Sequence, residues 1–158
     1  LDREWFYLLP CVDDIIQVCE AAADWPQSCS FQVQIDPKFR IWADEKQFFT
    51  VISQLINNGL TFCPKGSEQI NIVADNRVGP SREKMHCITI SDNGPGIPAD
   101  EQRKIFEPFY TSRPDGTGLG LAIVRQTVEA HSGFIVVGTS DDLGGARFSV
   151  YLPIMEDI

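Results

Sequence analysis

The sequence is short of positive charge. Lys and Arg number 13 against 22 Asp and Glu, a formal net charge of -9 at pH 7. General nucleic-acid and membrane-surface binders meet phosphates with a cationic excess, and this chain lacks one. Neither nucleic acid nor membrane contact is expected, so any anionic ligand must be met locally. Long apolar runs are also missing: no stretch approaches the roughly 18 residues of a membrane span. The opening Leu1-Asp2-Arg3-Glu4-Trp5 shows no basic region followed by an apolar one, so no signal peptide is expected. The five cysteines, Cys11, Cys19, Cys29, Cys63 and Cys87, contain no C-x-x-C pair. That excludes the usual signs of a disulfide framework or zinc site and leaves buried thiols in a reducing cytoplasm. Histidine is scarcer, with only His86 and His131, and no Gly-Lys-Ser/Thr occurs, so the P-loop is absent.

What is present suits one globular domain: 158 residues, 43% of them hydrophobic. The chain begins without methionine and reads as a piece of a longer protein. Helical spacing over Val12 to Ala23 ends before Pro26. Ser30 to Ile35 alternates Phe31, Val33 and Ile35 with polar residues, and Arg40 to Ala43 reads as a second strand, the two forming a hairpin through Asp36-Pro37. Asp44 is an N-cap for a long helix from Glu45 to about Phe62, with Phe48, Val51, Ile52, Leu55, Ile56 and Leu60 as its apolar stripe. Strands Gln69 to Ala74 and His86 to Ser91 flank an exposed loop, Asn76 to Arg82. A helix from about Leu119 to Ala130, capped by Gly133, precedes strands Phe134 to Thr139 and Ala146 to Leu152. Strand pairs interrupted by helices predict an α/β fold, a mixed sheet covered by helices on one face.

Three segments carry chemistry. Asp92-Asn93-Gly94-Pro95-Gly96-Ile97-Pro98 follows a predicted strand; its glycines permit a turn that brings backbone close to a flat ligand. Asp92 would accept from the exocyclic amine of adenine, although D-x-G-x-G alone is equally a structural turn. Gly116-Thr117-Gly118-Leu119-Gly120-Leu121 runs straight into a helix, where exposed N–H groups and the helix dipole suit phosphates. It does not follow the first strand of a βαβ unit, which excludes the dinucleotide fingerprint. Gln54 and Asn58 stand four residues apart on the long helix, sharing a face. Their amide oxygens suit Mg2+ shared with substrate phosphates, or are simply a polar face.

In order, these segments and Phe106-Glu107-Pro108-Phe109-Tyr110-Thr111-Ser112 between the glycine loops resemble the N, G1, F and G2 boxes of sensor histidine kinase catalytic domains. Gly144-Gly145-Ala146 and the strand after it resemble the family's closing segment, so the resemblance covers about residues 40 to 154. It implies a two-layer α/β sandwich of the Bergerat type, shared with gyrase-type and Hsp90-type ATPases, and binding of ATP with Mg2+. It further implies that Asn58 contacts magnesium, Asp92 binds adenine, and Gly94, Gly96 and Ile97 shape the base pocket. Phe62 would pack on the purine, and Thr117, Gly118, Leu119, Gly120 and Leu121 would wrap the phosphates. Tyr110 lines the pocket or belongs to the core; Arg113 neutralises the terminal phosphate or is a solvated loop charge.

Three positions depart from the family: Gln54 replaces the usual Asn, Gly59 the usual Ala, and Thr61 a frequent Lys that contacts phosphate. Gyrase-type and Hsp90-type relatives place a water-activating glutamate at the Gln54 position, and an amide cannot serve as that base. The resemblance therefore implies transfer of the γ-phosphoryl group to a histidine on a separate dimerisation domain, expected upstream, and then to an aspartate of a response regulator. Neither His86 nor His131 has the acidic residue that follows such an acceptor. His131, in the last turn of a helix, reads as structural, a partial positive charge suiting the dipole. The chain would be cytoplasmic, in a parent that is itself soluble or membrane-anchored. A nucleotide-gated interaction module without phosphotransfer and an anti-sigma-type serine kinase are the alternatives; Thr61 favours the former, and the missing N-box glutamate disfavours the latter.

The two readings of Arg113 are separable. Loss of a charged partner to a phosphate costs on the order of 1.5 to 3 kcal/mol, or at least about tenfold in affinity. Arg113→Ala should weaken ATP by that factor while leaving ADP nearly unchanged in calorimetry. Equal weakening of both nucleotides would remove Arg113 from the terminal phosphate.

Overall fold

The computed structural model describes residues 1–22, 25–110 and 120–155. Its elements are β1 (Glu4–Tyr7), α1 (Leu8–Glu20), β2 (Ser30–Gln34), β3 (Arg40–Ala43), α2 (Glu45–Phe62), β4 (Gln69–Val78), β5 (Lys84–Asp92), α3 (Gly120–Ala130), β6 (Phe134–Thr139) and β7 (Ala146–Pro153). A five-stranded sheet has the order β2-β4-β5-β7-β6, and β1 with β3 makes a separate two-stranded sheet. β2 runs parallel to β4 while the other neighbours in the large sheet are antiparallel, so the sheet is mixed, as expected.

The register puts Ile72 opposite Ile90, Ile90 opposite Phe148, and Ile88 opposite Val150. Residues opposite one another share a face, so these strands build one apolar surface. α2 packs on it over β4 and β5, α3 over β6 and β7, and α1 rests on α2. This is the two-layer α/β sandwich, its core lying between sheet and helices.

α2 forms where expected. The Asp44 carboxylate accepts the Gln47 N–H at 3.2 Å, satisfying one of the donors that a helix start leaves open. Phe48, Val51, Ile52, Leu55, Ile56 and Gly59 form its buried stripe, with Leu60 at the margin.

Other boundaries differ. α1 begins at Leu8, earlier than the periodicity suggested, because Pro10 sits in the first turn, where a missing N–H costs no hydrogen bond; it ends at Glu20. β1 was not anticipated. Its pairing partner lies far along the chain, Trp5 opposite Trp42, and only Phe6 is fully buried. The expected β2–β3 hairpin does not exist. Lys38 N–H donates to the Asp36 carboxylate and Phe39 N–H to the Asp36 carbonyl, a local turn. Phe39 then accepts from Leu8 N–H at 3.0 Å, which hands the chain to β1 rather than back to β2. The expected loop from Asn76 is largely strand, with Asn76, Arg77 and Val78 paired to β5 and the chain reversing over residues 79–83.

The α3 C-terminus also differs in detail. Ser132, at φ 62°, takes the left-handed position expected of Gly133. Gly133 N–H still closes on Val128 O at 3.0 Å. Glycine is needed there for space, since a Cβ would run into the Tyr151 carbonyl.

His86 is buried on β5. Its Nδ1 lies 2.8 Å from Asn76 Oδ1 across the β4–β5 ladder, and the rings of Trp5 and Phe39 meet it edge-on. Its Nε2 has no partner among the described residues. Burial pushes its pKa from 6.5 down to about 4. The unfolded chain therefore takes up a proton below the ordinary value while the folded chain refuses it until about pH 4. Stability present above that window is lost as pH falls through it. Wild type should lose about 3 kcal/mol relative to His86→Leu between pH 7 and 4 in urea unfolding. A difference that stays flat across that range would remove the ring as the source.

Candidate functional site

The site is built at the end of β5, where Asp92 is 5% exposed. Its Oδ1 accepts two backbone N–H groups, from Gly94 at 2.9 Å and from Ala146 at 3.2 Å. Burial raises the carboxyl pKa, and these two hydrogen bonds pull it back. Oδ2 lies against α2, where a Cβ on Gly59 would stand 3.1 Å away. One oxygen is thus fully engaged by backbone and the other is left for a donor.

Glycine encloses this carboxylate. A Cβ on Gly94 would stand 2.9 Å from Phe62 O, and one on Gly145 would overlap both Asp92 O and Oδ1. Gly96 and Gly144 take φ values of 79° and 83°, a conformation that side chains disfavour. Asn93 clips the turn to the loop after α2. Its Oδ1 accepts from Gln69 N–H at 2.9 Å and its Nδ2 donates to Ser67 O at 2.8 Å.

On α2, Gln54 is exposed and Asn58 half-buried, and Phe62 is 40% exposed in the final turn. A Cβ on Gly120 would stand 2.9 Å from Gln54 Oε1. The polar face of α2 therefore meets the first residue of α3, which brings Gln54 against Gly120, the described end of the second glycine segment. Leu121, Ile97 and Tyr110 pack against the core. Phe106 is buried, its ring 6.2 Å from that of Phe148. Phe109 is 74% exposed at φ 68°. Arg113, Thr117, Gly118 and Leu119 lie outside the described residues.

Sequence reasoning did not place Asn93, Gly145 or Ala146 in the site. Asn93 carried no signal beyond its place in the turn. The adjacent Gly144 and Gly145 before a strand could have pointed to a close backbone approach.

The sequence profile of the family described as "Histidine kinase-, DNA gyrase B-, and HSP90-like ATPase" matches residues 43–156. The chain belongs to that family. Within it the chain is a catalytic domain of the histidine kinase kind, a nucleotide-binding enzyme domain. Sensor protein ChvG of Rhizobium meliloti (strain 1021) is 39% identical over 114 residues, 65% of this chain and 19% of the relative. Sensor histidine kinase TmoS of Ectopseudomonas mendocina is 33% identical over 134 residues, 81% of this chain and 13% of the relative. The chain thus spans about a fifth or less of these curated relatives. Among solved structures, the mycobacterial sensor histidine kinase MprB matches with TM-score 0.79 at 25% identity, covering 96% of this chain and 97% of that one. The catalytic domain of histidine kinase ThkA, in a nucleotide-free form, shares the fold with TM-score 0.81 at 24% identity over 97% of this chain and 96% of that one.

The residues fit the family's nucleotide. Asp92 Oδ2, without a partner among the described residues, is an acceptor beside glycines whose bare Cα atoms let the backbone close on the carboxylate, and the amides of Gln54 and Asn58 lie on the face that meets α3.

Two substitutions test the cage. Asp92→Asn keeps the shape but puts a donor where the base amine needs an acceptor, and should reduce ADP binding at least about tenfold. Gly145→Ala displaces the carboxylate and should do the same with Asp92 intact. Calorimetry with ADP and GDP checks both; wild-type affinity equal for the two bases would refute base reading by Asp92.

Proposed function

We propose that this chain binds Mg-ATP and passes its γ-phosphoryl group to a histidine on a separate dimerisation domain, in two-component signalling. The observation that carries the reading is the Asp92 carboxylate, with Oδ1 held by Gly94 and Ala146 and Oδ2 without a hydrogen-bond partner among the described residues. An acceptor fixed in that way favours a base with an amine at the position it faces, such as the C6 amine of adenine where guanine has a carbonyl.

Asp92 and the glycine turn would hold adenine, with Ile97 and Phe62 supplying apolar walls. Asn58 would hold magnesium together with phosphate oxygens, Gln54 assisting, and the ion would neutralise charge between the outer phosphates. Gly120 and Leu121 at the start of α3, with Thr117, Gly118 and Leu119 before them in sequence, would offer backbone N–H groups to the phosphates, and Arg113 would meet the terminal one. In the transfer, an imidazole nitrogen bonds to the γ-phosphorus as the bond to the bridging oxygen breaks. ADP leaves with that electron pair. The chain's part is positioning and charge neutralisation.

Both of its own histidines are unsuited as acceptors. His86 and His131 are 3% and 4% exposed, and each has a ring nitrogen within hydrogen-bond distance of a partner. This supports an acceptor elsewhere, on the parent's dimerisation domain, with a response regulator receiving the group next. No helix among the described residues is long and apolar enough to cross a membrane. We place the chain in the cytoplasm, where ATP and the regulator are found, whether or not its parent is membrane-anchored.

The test combines this chain with its parent's dimerisation domain and radiolabelled ATP. Label is expected on the added domain alone, with little phosphate release from the chain by itself. Label on His86 or His131 would overturn the reading. Nucleotide binding without transfer would leave a nucleotide-gated interaction module in its place.

A further inference from the structure

His131 lies one residue beyond α3, 4% exposed. Its Nδ1 is 2.8 Å from the Thr127 carbonyl, which can only accept. Its Nε2 receives the Asp44 N–H at 3.0 Å in a buried hydrogen bond. These partners fix the Nδ1–H tautomer, so the ring acts as donor to α3 and acceptor from α2, rather than as a positive charge at a helix end. Asp44 is the N-cap of α2, and its carboxylate takes the N–H groups of Gln47 and Asp2. Those two bonds hold its pKa below the ordinary carboxylate range. The imidazole thus joins the last turn of α3 to the N-cap of α2.

The same two helices carry proposed nucleotide elements further along, Gln54 midway through α2 and Gly120 at the start of α3. Gln54 is ten residues along the chain from Asp44, and Gly120 is eleven from His131. At about 1.5 Å per residue both distances come to roughly 15 to 17 Å. The helices therefore run antiparallel, clipped by His131 and meeting again where Gln54 Oε1, midway along α2, faces Gly120 at the start of α3. Gly133 holds the clip against the sheet, because its bare Cα allows the Tyr151 carbonyl to approach.

We infer that His131 is a positioning residue, setting the height of the phosphate-binding start of α3 against the magnesium-binding face of α2. It touches no nucleotide. A rigid helix transmits a shift at its clipped end to its other end, whereas Asp92 is held by β5 and β7 independently of this bond. Losing the bond should therefore disturb phosphate contacts and leave base contacts in place. The inference rests on the nucleotide-binding reading above.

The test compares adenosine, ADP and ATP binding to wild type, His131→Ala, His131→Asn and His131→Gln by heteronuclear NMR titration. Circular dichroism establishes the folded fraction of each. The Gln side-chain oxygen reaches about where Nε2 stands and can accept from Asp44, whereas the shorter Asn replaces only Nδ1. ADP and ATP are expected to weaken about tenfold in the Ala and Asn variants, and adenosine less than about twofold. The Gln variant is expected to stay within about threefold of wild type, since it restores that one hydrogen bond. Equal weakening of adenosine and ADP would make the ring a support of the fold alone and overturn the inference, as would unchanged binding in all variants. Wild type that binds adenosine and ADP equally well, or neither, would overturn the nucleotide reading and this inference together.

Discussion

A carboxylate buried at the end of a central strand is costly unless its charge is met, and here two backbone N–H groups meet it from different directions. Gly94 belongs to the turn that follows β5, and Ala146 opens the strand beside it. Asp92 is therefore both a ligand candidate and the bond between turn and sheet. The glycines follow from this arrangement, since any side chain at Gly94 or Gly145 would occupy space already filled by the carboxylate or by the end of α2. Asn93 completes it by tying the same turn to the loop that leads into β4. The carboxylate, the end of α2 and the end of the central strands are one structure.

Much of this was legible from the chain because the decisive signals are local. Asp44 capping a periodic helix, glycine turns after strands, and a glycine loop running into a helix are each written within a few residues. What escaped the sequence is long-range. The partner of β1 is β3, and the partner of β2 is β4, choices made by packing rather than by the turn between neighbours. The Asp36 turn reads like a hairpin signal, yet it passes the chain to another sheet. Within the site, the same limit hid Ala146, whose amide contributes to Asp92 from 54 positions away.

The two histidines show how one residue type is put to separate structural uses. His86 sits uncharged among aromatic rings, where its burial lowers the pKa to about 4. His131 is engaged at both nitrogens between two helices. Neither arrangement leaves a nucleophile facing solvent, in keeping with the proposed transfer to a histidine outside this chain.

The ladder between β5 and β7 has a bearing on synthesis. Asp92 emerges from the ribosome well before Ala146, the residue that opens β7 and donates to its carboxylate. Until that last strand has been made and zipped into the sheet, the carboxylate lacks the Ala146 N–H, and its surroundings are incomplete. On the proposed reading, nucleotide capture is thereby tied to completion of the sheet, and a prematurely terminated product lacking β7 would not draw on the cell's ATP.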